Sequence, residues 1–298
     1  MKTLPVLILV FNRIDALARQ IAVLKIYKAQ RIFIACDGGR PEKEGELENV
    51  EKVKQELLHL IDWPCEIKTL FRDENLGCKL AVSQAVQWFF AQVGEGIVLE
   101  DDCIPSPAFF SYVAEMLDVY RNDKRVATIG GRRELLGEGT PKFSSKFFCW
   151  GWASWGDRIN GIDVEFGYQK HLPANINTEL SFAEKQHVKG IHNLMLTGMV
   201  NSWAYSYDLW FRAQGQLHLV PAKNYISNVG IGSGTHDTKQ KEDGIASHDT
   251  YDSLTELIPV QRDADYMQAY FRQVYSPLKI LLFPFVGDIK RFLRKLSA

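Results

Sequence analysis

The first 130 residues alternate short, mostly apolar runs with longer segments whose apolar residues recur at helical spacing. A run without polar alternation is typical of a strand that is buried on both faces of a parallel sheet. The alternation predicts an α/β fold, with a Rossmann-like, mostly parallel sheet flanked by helices and an elaborated C-terminal half. The predicted strands are Val6–Val10, Arg31–Cys36, Glu66–Phe71, 97–99 and 126–129, and the predicted helices are 16–27, 47–60 and 79–92.

Three acidic residues, Glu100, Asp101 and Asp102, follow the fourth apolar run directly. In an open α/β sheet, ligands bind beyond the carboxyl ends of the strands. Adjacent carboxylates at such a place repel one another, and a bound Mg²⁺ or Mn²⁺ is the commonest reason that they persist. The alternatives are a solvated loop or a helix cap. Ser106 already supplies a cap for the next helix, and Pro107 supplies its first helical position. The acidic triplet is therefore not needed to cap that helix.

Other polar residues are predicted at the same edge of the sheet. Asn12 and Arg13 follow the first strand, and Asp37 and Gly38 follow the second. Gly38 allows a ligand to approach the backbone closely, whereas an Asp-Gly-Gly segment can equally be a turn in which the Asp satisfies its own backbone. Arg13 is either a nucleotide contact or a surface residue. Lys79, near the start of a helix, is a candidate phosphate contact.

The composition of the 298-residue chain narrows the classes of partner. The formal net charge is −1 and no long charged run precedes the last residues, which argues against nucleic acid as the main partner. The five cysteines form no C-x-x-C pair, which predicts a reduced, cytoplasmic protein. We also expect no signal peptide and no membrane span, because no apolar run reaches about 18 residues.

We predict that residues 1–275 form one domain. Residues 276–298, here called the tail, form a separate basic and amphipathic segment. The residue pattern of the tail predicts a basic amphipathic helix. Such a helix would lie on an anionic membrane surface, at the inner face of the cell membrane. The alternative is a terminal helix that docks on its own domain or on another subunit. The apolar face consists of Phe285, Ile289, Phe292, Leu293 and Leu296, and the basic residues are Lys290, Arg291, Arg294 and Lys295.

Six segments, taken in order, resemble a known family. They are 5–13, 35–39, 98–110, 150–152, 207–212 and 229–236. Over residues 4–240 the chain resembles nucleotide-sugar-dependent glycosyltransferases of the GT-A fold. It is most similar to the N-acetylglucosaminyltransferase I type and to bacterial enzymes of surface-polysaccharide synthesis. The resemblance implies a metal-dependent, inverting transferase that uses a nucleotide-sugar donor, Mn²⁺ or Mg²⁺, and a glycan or lipid-linked saccharide acceptor.

The resemblance also implies roles for single residues at the donor. Asp102 would bind the metal directly, and Glu100 or Asp101 would bind the ribose or a metal-held water. Asp37 would accept a hydrogen bond from the N3–H of uracil, which makes a UDP-sugar the expected donor. His236, in a Gly-rich segment, would contact the diphosphate or the metal.

Asp208 matches the position of the family's general base, which takes a proton from the acceptor hydroxyl. The family has a second Asp where this chain has Leu209. The alternative is that Asp208 lies on the solvated side of a core helix. Two other functions stay open. One is a sugar nucleotidyltransferase, although the Gly-rich loop expected after the first strand is missing. The other is a catalytically inactive nucleotide- or glycan-binding scaffold.

Overall fold

In a computed structural model, which describes residues 2–135, 138–230, 248–254 and 256–296, an eight-stranded mixed sheet is flanked by helices. The strand order is β3-β2-β1-β4-β8-β6-β9-β7, and a separate ribbon pairs β5 with β10. The strands are β1 (Val6–Val10), β2 (Arg31–Cys36), β3 (Glu66–Phe71), β4 (Glu95–Glu100), β5 (Cys103–Pro105), β6 (Val126–Gly130), β7 (Lys142–Ser144), β8 (Trp152–Trp155), β9 (Leu217–Val220) and β10 (Ile226–Asn228).

The first half of the sheet is parallel, as its apolar runs predict. β1 lies between β2 and β4, parallel to both, and all five of its residues are buried. The first three strands have the predicted bounds. The fourth, Glu95–Glu100, begins two residues before the predicted 97–99 and ends one residue after it. The first acidic residue is therefore the last residue of a strand, and the other two lie in the turn after it.

Helices cover both faces of the sheet, and most of them bury an apolar side. In the first helix, Leu17, Ile21 and Leu24 recur at spacings of four and three residues and all lie in the core. The helices are α1 (Ile14–Tyr27), α2 (Glu46–Leu60), α3 (Gly77–Phe90), α4 (Pro107–Tyr120), α5 (Gly156–Ile159), α6 (Phe182–Leu196), α7 (Trp203–Ala213), α8 (Ala264–Val274), α9 (Pro277–Leu282) and α10 (Val286–Leu296).

The second half of the sheet is antiparallel where β8 is inserted between β4 and β6. Trp152 and Trp155 on β8 have no exposed surface and belong to the core. In the described residues, no helix is both long and apolar enough to span a bilayer.

The predicted cap of α4 is wrong in one respect. Ser106 does occupy the position before Pro107, but its hydroxyl donates no hydrogen bond to the helix end and accepts none from it. Instead it donates to the backbone carbonyl of His248 at 2.6 Å. The side chain therefore ties a distant segment to the start of α4.

Candidate functional site

The topological switch point of the sheet lies between β1 and β4. From β1 the chain goes to β2 and β3 on one side, and β4 then returns to the other side of β1. The segments that follow β1 and β4 meet at this point, where Gln20 on α1 donates to the backbone carbonyls of Glu100 and Cys103. Ligands of open α/β sheets bind beyond such strand ends, and this place is here called the crevice. Arg13 follows β1 and the acidic triplet follows β4, so both line this crevice.

Asp102 and Arg13 form an ion pair across the crevice. The Oδ2 atom of Asp102 lies 3.1 Å from Nη1 of Arg13, and the two side chains are 20% and 29% exposed. The β5–β10 ribbon brings Val229 to the same place, where its amide donates to the Asp102 carbonyl at 2.9 Å. A Cβ on Gly230 would overlap the Asp102 carboxylate and the Arg13 guanidinium. A larger residue at this position would therefore displace the end of one of these two side chains.

The surroundings of Glu100 and Asp101 disfavour the charged forms of their carboxyl groups. Burial, followed by the charges of Asp102 and Asp101, raises the pKa of Glu100 to about 8. Burial and then Asp102 raise the pKa of Asp101 to about 6. The Oε1 atom of Glu100 is buried, and no group in the described part of the chain forms a hydrogen bond with it. A buried carboxylate oxygen without a partner indicates that something else completes the site.

The residues of this crevice fit a divalent cation of the magnesium type. Such an ion is commonly held by one or two carboxylates, water and substrate phosphates. Glu100, Asp101 and Asp102 supply hard oxygen atoms, and the partnerless Oε1 of Glu100 agrees with this interpretation. Within the described ranges, no three His, Cys, Asp or Glu side chains converge into a complete cage. The fit is therefore to an ion that is shared with a bound phosphate.

We predict that Glu100→Gln stabilises the metal-free protein at alkaline pH. The folded-state pKa of about 8 lies above the ordinary 4.5, so the wild type loses stability as pH rises between these values. Above pH 8 the variant should be more stable by about 1–3 kcal/mol, and the gain should vanish in acid. Denaturant unfolding in EDTA measures it. Glu51→Gln, at an exposed side chain, is the control, and a gain that does not depend on pH would contradict the prediction.

Asp37 holds the start of α3. Its carboxylate oxygens accept hydrogen bonds from the amides of Leu76 and Gly77 at 3.0–3.1 Å. The side chain of Asn75 in turn donates to the Gly38 carbonyl at 2.7 Å. The turn interpretation expected Asp37 to accept hydrogen bonds from its own backbone. Instead, its carboxylate accepts hydrogen bonds from the backbone of another segment. Uracil recognition by Asp37 stays a prediction, since a carboxylate has lone pairs for more than these contacts.

Gly38 is required by close packing. A Cβ at this position would overlap the backbone of Asp73 and Glu74. We expect Gly38→Ala to lower the free energy of unfolding by about 1–3 kcal/mol, because the backbone must shift to relieve the overlap. Gly94→Ala is the matched control, since a Cβ there meets nothing within 4 Å. Equal melting temperatures for the two variants would contradict this expectation.

Lys79 lies on the first turn of α3 but points towards the second half of the chain. Its Nζ atom is 2.7 Å from Glu165 and 4.1 Å from the centroid of the Tyr168 ring. A phosphate contact by Lys79 stays a prediction, and it requires that Lys79 leave Glu165. Asn12 is exposed in the link between β1 and α1. His236 lies outside the described residues.

Two cysteines belong to the site and were not predicted. The Cys149 side chain adjoins the Glu100 carboxylate, where it partly offsets the rise in the pKa of Glu100 that burial causes. Partial desolvation, and then the charges of Glu100, Asp37 and Asp101, raise the pKa of Cys78 to about 11, although the residue is exposed at the surface. Because each is a lone cysteine without a spaced partner, the sequence carries no signal for either.

Asp208 is not on the solvated side of its helix. The residue is 1% exposed on α7, where its Oδ2 accepts from Arg212 at 3.0 Å and its Oδ1 accepts from the Phe147 amide at 2.7 Å. Burial alone would raise the pKa of Asp208, but Arg212 and then Lys146 and His187 lower it to about 2. An acceptor hydroxyl reaches this carboxylate only if α7 moves. The contacts therefore oppose a base role, which stays a prediction.

Comparison with known proteins gives structural neighbours but no sequence relatives. No family model and no curated sequence matches the chain. Solved structures that match include HddC from Yersinia pseudotuberculosis, at 11% identity and a TM-score of 0.34 over 52% of this chain and 78% of that one. The mannosyltransferase PcManGT from Pyrobaculum calidifontis, in complex with GDP-Man and Mn²⁺, matches at 10% identity and 0.36 over 71% and 68%.

A UDP-glucose pyrophosphorylase complexed with UDP-glucose matches at 11% identity and a TM-score of 0.39, over 77% of this chain and 94% of that one. At such values, function must be inferred from the residues of the site itself.

Proposed function

We propose that this chain is a metal-dependent, inverting glycosyltransferase. It would move a sugar from a nucleotide diphosphate donor, a UDP-sugar in the first instance, to a glycan or lipid-linked saccharide in surface-polysaccharide synthesis. The observation that carries the proposal is the charge arrangement at the switch point. Asp102 pairs with Arg13 across the crevice where an α/β sheet binds its ligand, and Glu100 and Asp101 adjoin Asp102 in sequence.

The residues of the crevice have complementary tasks in this reaction. A diphosphate would compete with Asp102 for Arg13, because phosphate oxygens accept the same guanidinium hydrogen bonds. Asp102, released from Arg13, then presents both carboxylate oxygens to the ligand site. A divalent cation bound there would supply charge that stabilises the diphosphate as a leaving group. Asp101 and Glu100 stand beside Asp102 and would bind the ribose or a water.

Calorimetric titration with UDP, with and without Mn²⁺, tests the proposal directly. We expect binding to the wild type that depends on Mn²⁺, and loss of that dependence in Asp102→Ala. A GDP titration controls for base selectivity, since Asp37 is proposed to recognise uracil. A folded wild type that binds no nucleotide in either condition would overturn the proposal.

A second candidate, a catalytically inactive nucleotide- or glycan-binding scaffold, is favoured by one observation. The predicted base, Asp208, is buried in an ion pair, and its neighbour Leu209 replaces a family acid. Turnover distinguishes the candidates. A scaffold binds the donor without consuming it, whereas a transferase releases UDP. Release of pyrophosphate would instead identify a sugar nucleotidyltransferase.

A further inference from the structure

Two short helices of the tail, α9 and α10, leave a row of large apolar side chains in solvent. The exposed fractions of these side chains lie between 46% and 71%. Isolated exposed leucines are normal, but a contiguous row indicates a surface that something else covers. The row consists of Leu278, Leu281, Leu282, Phe285, Ile289, Phe292, Leu293 and Leu296.

The tail is docked on α6 by the side of α10 that lies opposite this apolar row. Gly287 is buried, and a Cβ there would touch Asn193 and Thr197 of α6. The Asn193 side chain donates to the Asp288 carboxylate at 2.7 Å and accepts from the Asp288 amide at 3.2 Å. Gly287 and Ile289 are about 200° apart around a helix. Docking through this polar side therefore directs Ile289 away from the protein.

This arrangement is the reverse of ordinary helix packing. A terminal helix that only completes its own domain buries its apolar face. Of the tail residues from 283 onwards, Phe283 does pack on α6, with its ring 5.6 Å from His187. The eight side chains of the apolar row, which does not include Phe283, are each at least 46% exposed. The tail therefore docks on its own domain, as one of the two alternatives predicted, while its apolar face stays outward. Membrane binding stays a prediction.

The charges around the apolar row indicate what kind of surface covers it. Residues 276–296 contain five basic residues and one acidic residue, in a chain whose formal net charge is −1. Lys290 and Lys295 lie about 100° and 120° to either side of Ile289, so a cation borders the apolar row on each edge. Asp288, the one acidic residue, lies on the Lys295 side and is paired with Arg291. Both lysines are exposed. Two such faces packed together would bring like charges close, whereas anionic lipid phosphates would complement them.

We propose that the apolar row of α9 and α10 binds the surface of an anionic phospholipid bilayer. The apolar side chains enter the boundary between headgroups and acyl chains, and the bordering lysines contact lipid phosphates. This inference does not depend on the proposed glycosyltransferase activity. It rests on the outward apolar row, its polar docking on α6, and the cations at its edges.

Co-sedimentation of the full chain with vesicles tests this proposal. We compare phosphatidylcholine alone with phosphatidylcholine mixed with phosphatidylglycerol, at low and high salt. Binding should require phosphatidylglycerol and weaken as salt rises. Phe292→Glu should weaken binding at least about tenfold, because an apolar group is lost and a negative charge gained. The matched control is Phe182→Glu on α6, since Phe182 and Phe292 are 63% and 62% exposed.

Three results would overturn the proposal. The first is a folded wild type that does not bind vesicles containing phosphatidylglycerol. The second is an equal loss of binding in Phe182→Glu and Phe292→Glu. The third is a change of oligomeric state in Phe292→Glu, measured by sedimentation velocity, while lipid binding is unchanged. That last result would assign the row to contact between copies of the chain.

Discussion

Asp208→Asn is expected to destabilise the folded protein by about 3–5 kcal/mol, because it leaves the Arg212 charge buried without its partner. Both side chains of this pair are only 1% exposed. The Nη1 and Nη2 atoms of Arg212 are buried and have no hydrogen-bond partner in the described ranges, so no other group compensates. The asparagine keeps only one side-chain oxygen, which can accept from the Phe147 amide or from Arg212 but not from both in their present positions. Denaturant unfolding near neutral pH measures the loss.

A surface ion pair of similar spacing provides the control. Asp288 and Arg291 lie 3.0 Å apart with side chains that are 50% and 54% exposed. Asp288→Asn should change the free energy of unfolding by at most about 1 kcal/mol, because water screens the exposed pair. The double variant Asp208→Asn with Arg212→Met should lose less than the sum of its single variants, since it removes both buried charges.

The pH dependence of the Asp208→Asn effect follows from the pKa of Asp208. Arg212 and its neighbours lower that pKa from 3.8 to about 2. The stabilisation is therefore present above pH 4 and is lost as pH falls towards 2. The difference between wild type and variant should shrink over that range. A variant with wild-type stability and no turnover would contradict the structural role and support Asp208 as the general base.

Buried histidines should add to acid sensitivity in the wild type and the variant alike. Burial lowers the pKa of His218 to about 3, and it lowers that of His187 well below its ordinary value. Between pH 6.5 and 3 the unfolded chain therefore binds protons that the folded chain does not. Stability falls as pH drops through this window, so the Asp208 effect must be read as a difference between two proteins at each pH.

The parallel half of the fold could be predicted because its signals are local. Strands β1 and β2 are short, mostly apolar runs, β3 mixes polar and apolar residues, and each of the three has the predicted bounds. The antiparallel half could not be predicted in this way. β8 pairs with β4 although some 50 residues separate them, and β6 pairs with β9 about 90 residues away. No periodicity within one strand specifies such partners.

The same distinction applies to the site. The meeting of Arg13 and Asp102 follows from the rule that carboxyl ends of parallel strands lie together, although the residues are 89 positions apart. The environment of Asp208 has no such rule. Its helix, α7, buries Trp203, Tyr207 and Phe211 together with Asp208, so there is no polar face for the sequence pattern to identify. Its partner amide, in Phe147, is 61 residues away.

Asp102→Asn is expected to change nucleotide binding and turnover in opposite directions. Without Mn²⁺, the variant should bind UDP more tightly than the wild type, because Arg13 no longer pairs with Asp102 and one negative charge is gone. With Mn²⁺, it should gain no further affinity. Its turnover should fall by at least about 100-fold, since a group that helps to stabilise the leaving diphosphate is removed.

Two variants isolate the contribution of the ion pair. Asp118→Asn removes an exposed carboxylate that pairs with Lys2, next to the opposite end of β1, so it changes net charge equally while leaving the crevice intact. It should keep wild-type binding and turnover. Arg13→Met should weaken UDP binding with and without Mn²⁺, because the phosphate loses its cation. If Asp102→Asn and Asp118→Asn bind UDP alike without Mn²⁺, then Arg13 does not contact the diphosphate. If Asp102→Asn keeps its turnover, the metal is held by Glu100 and Asp101 instead.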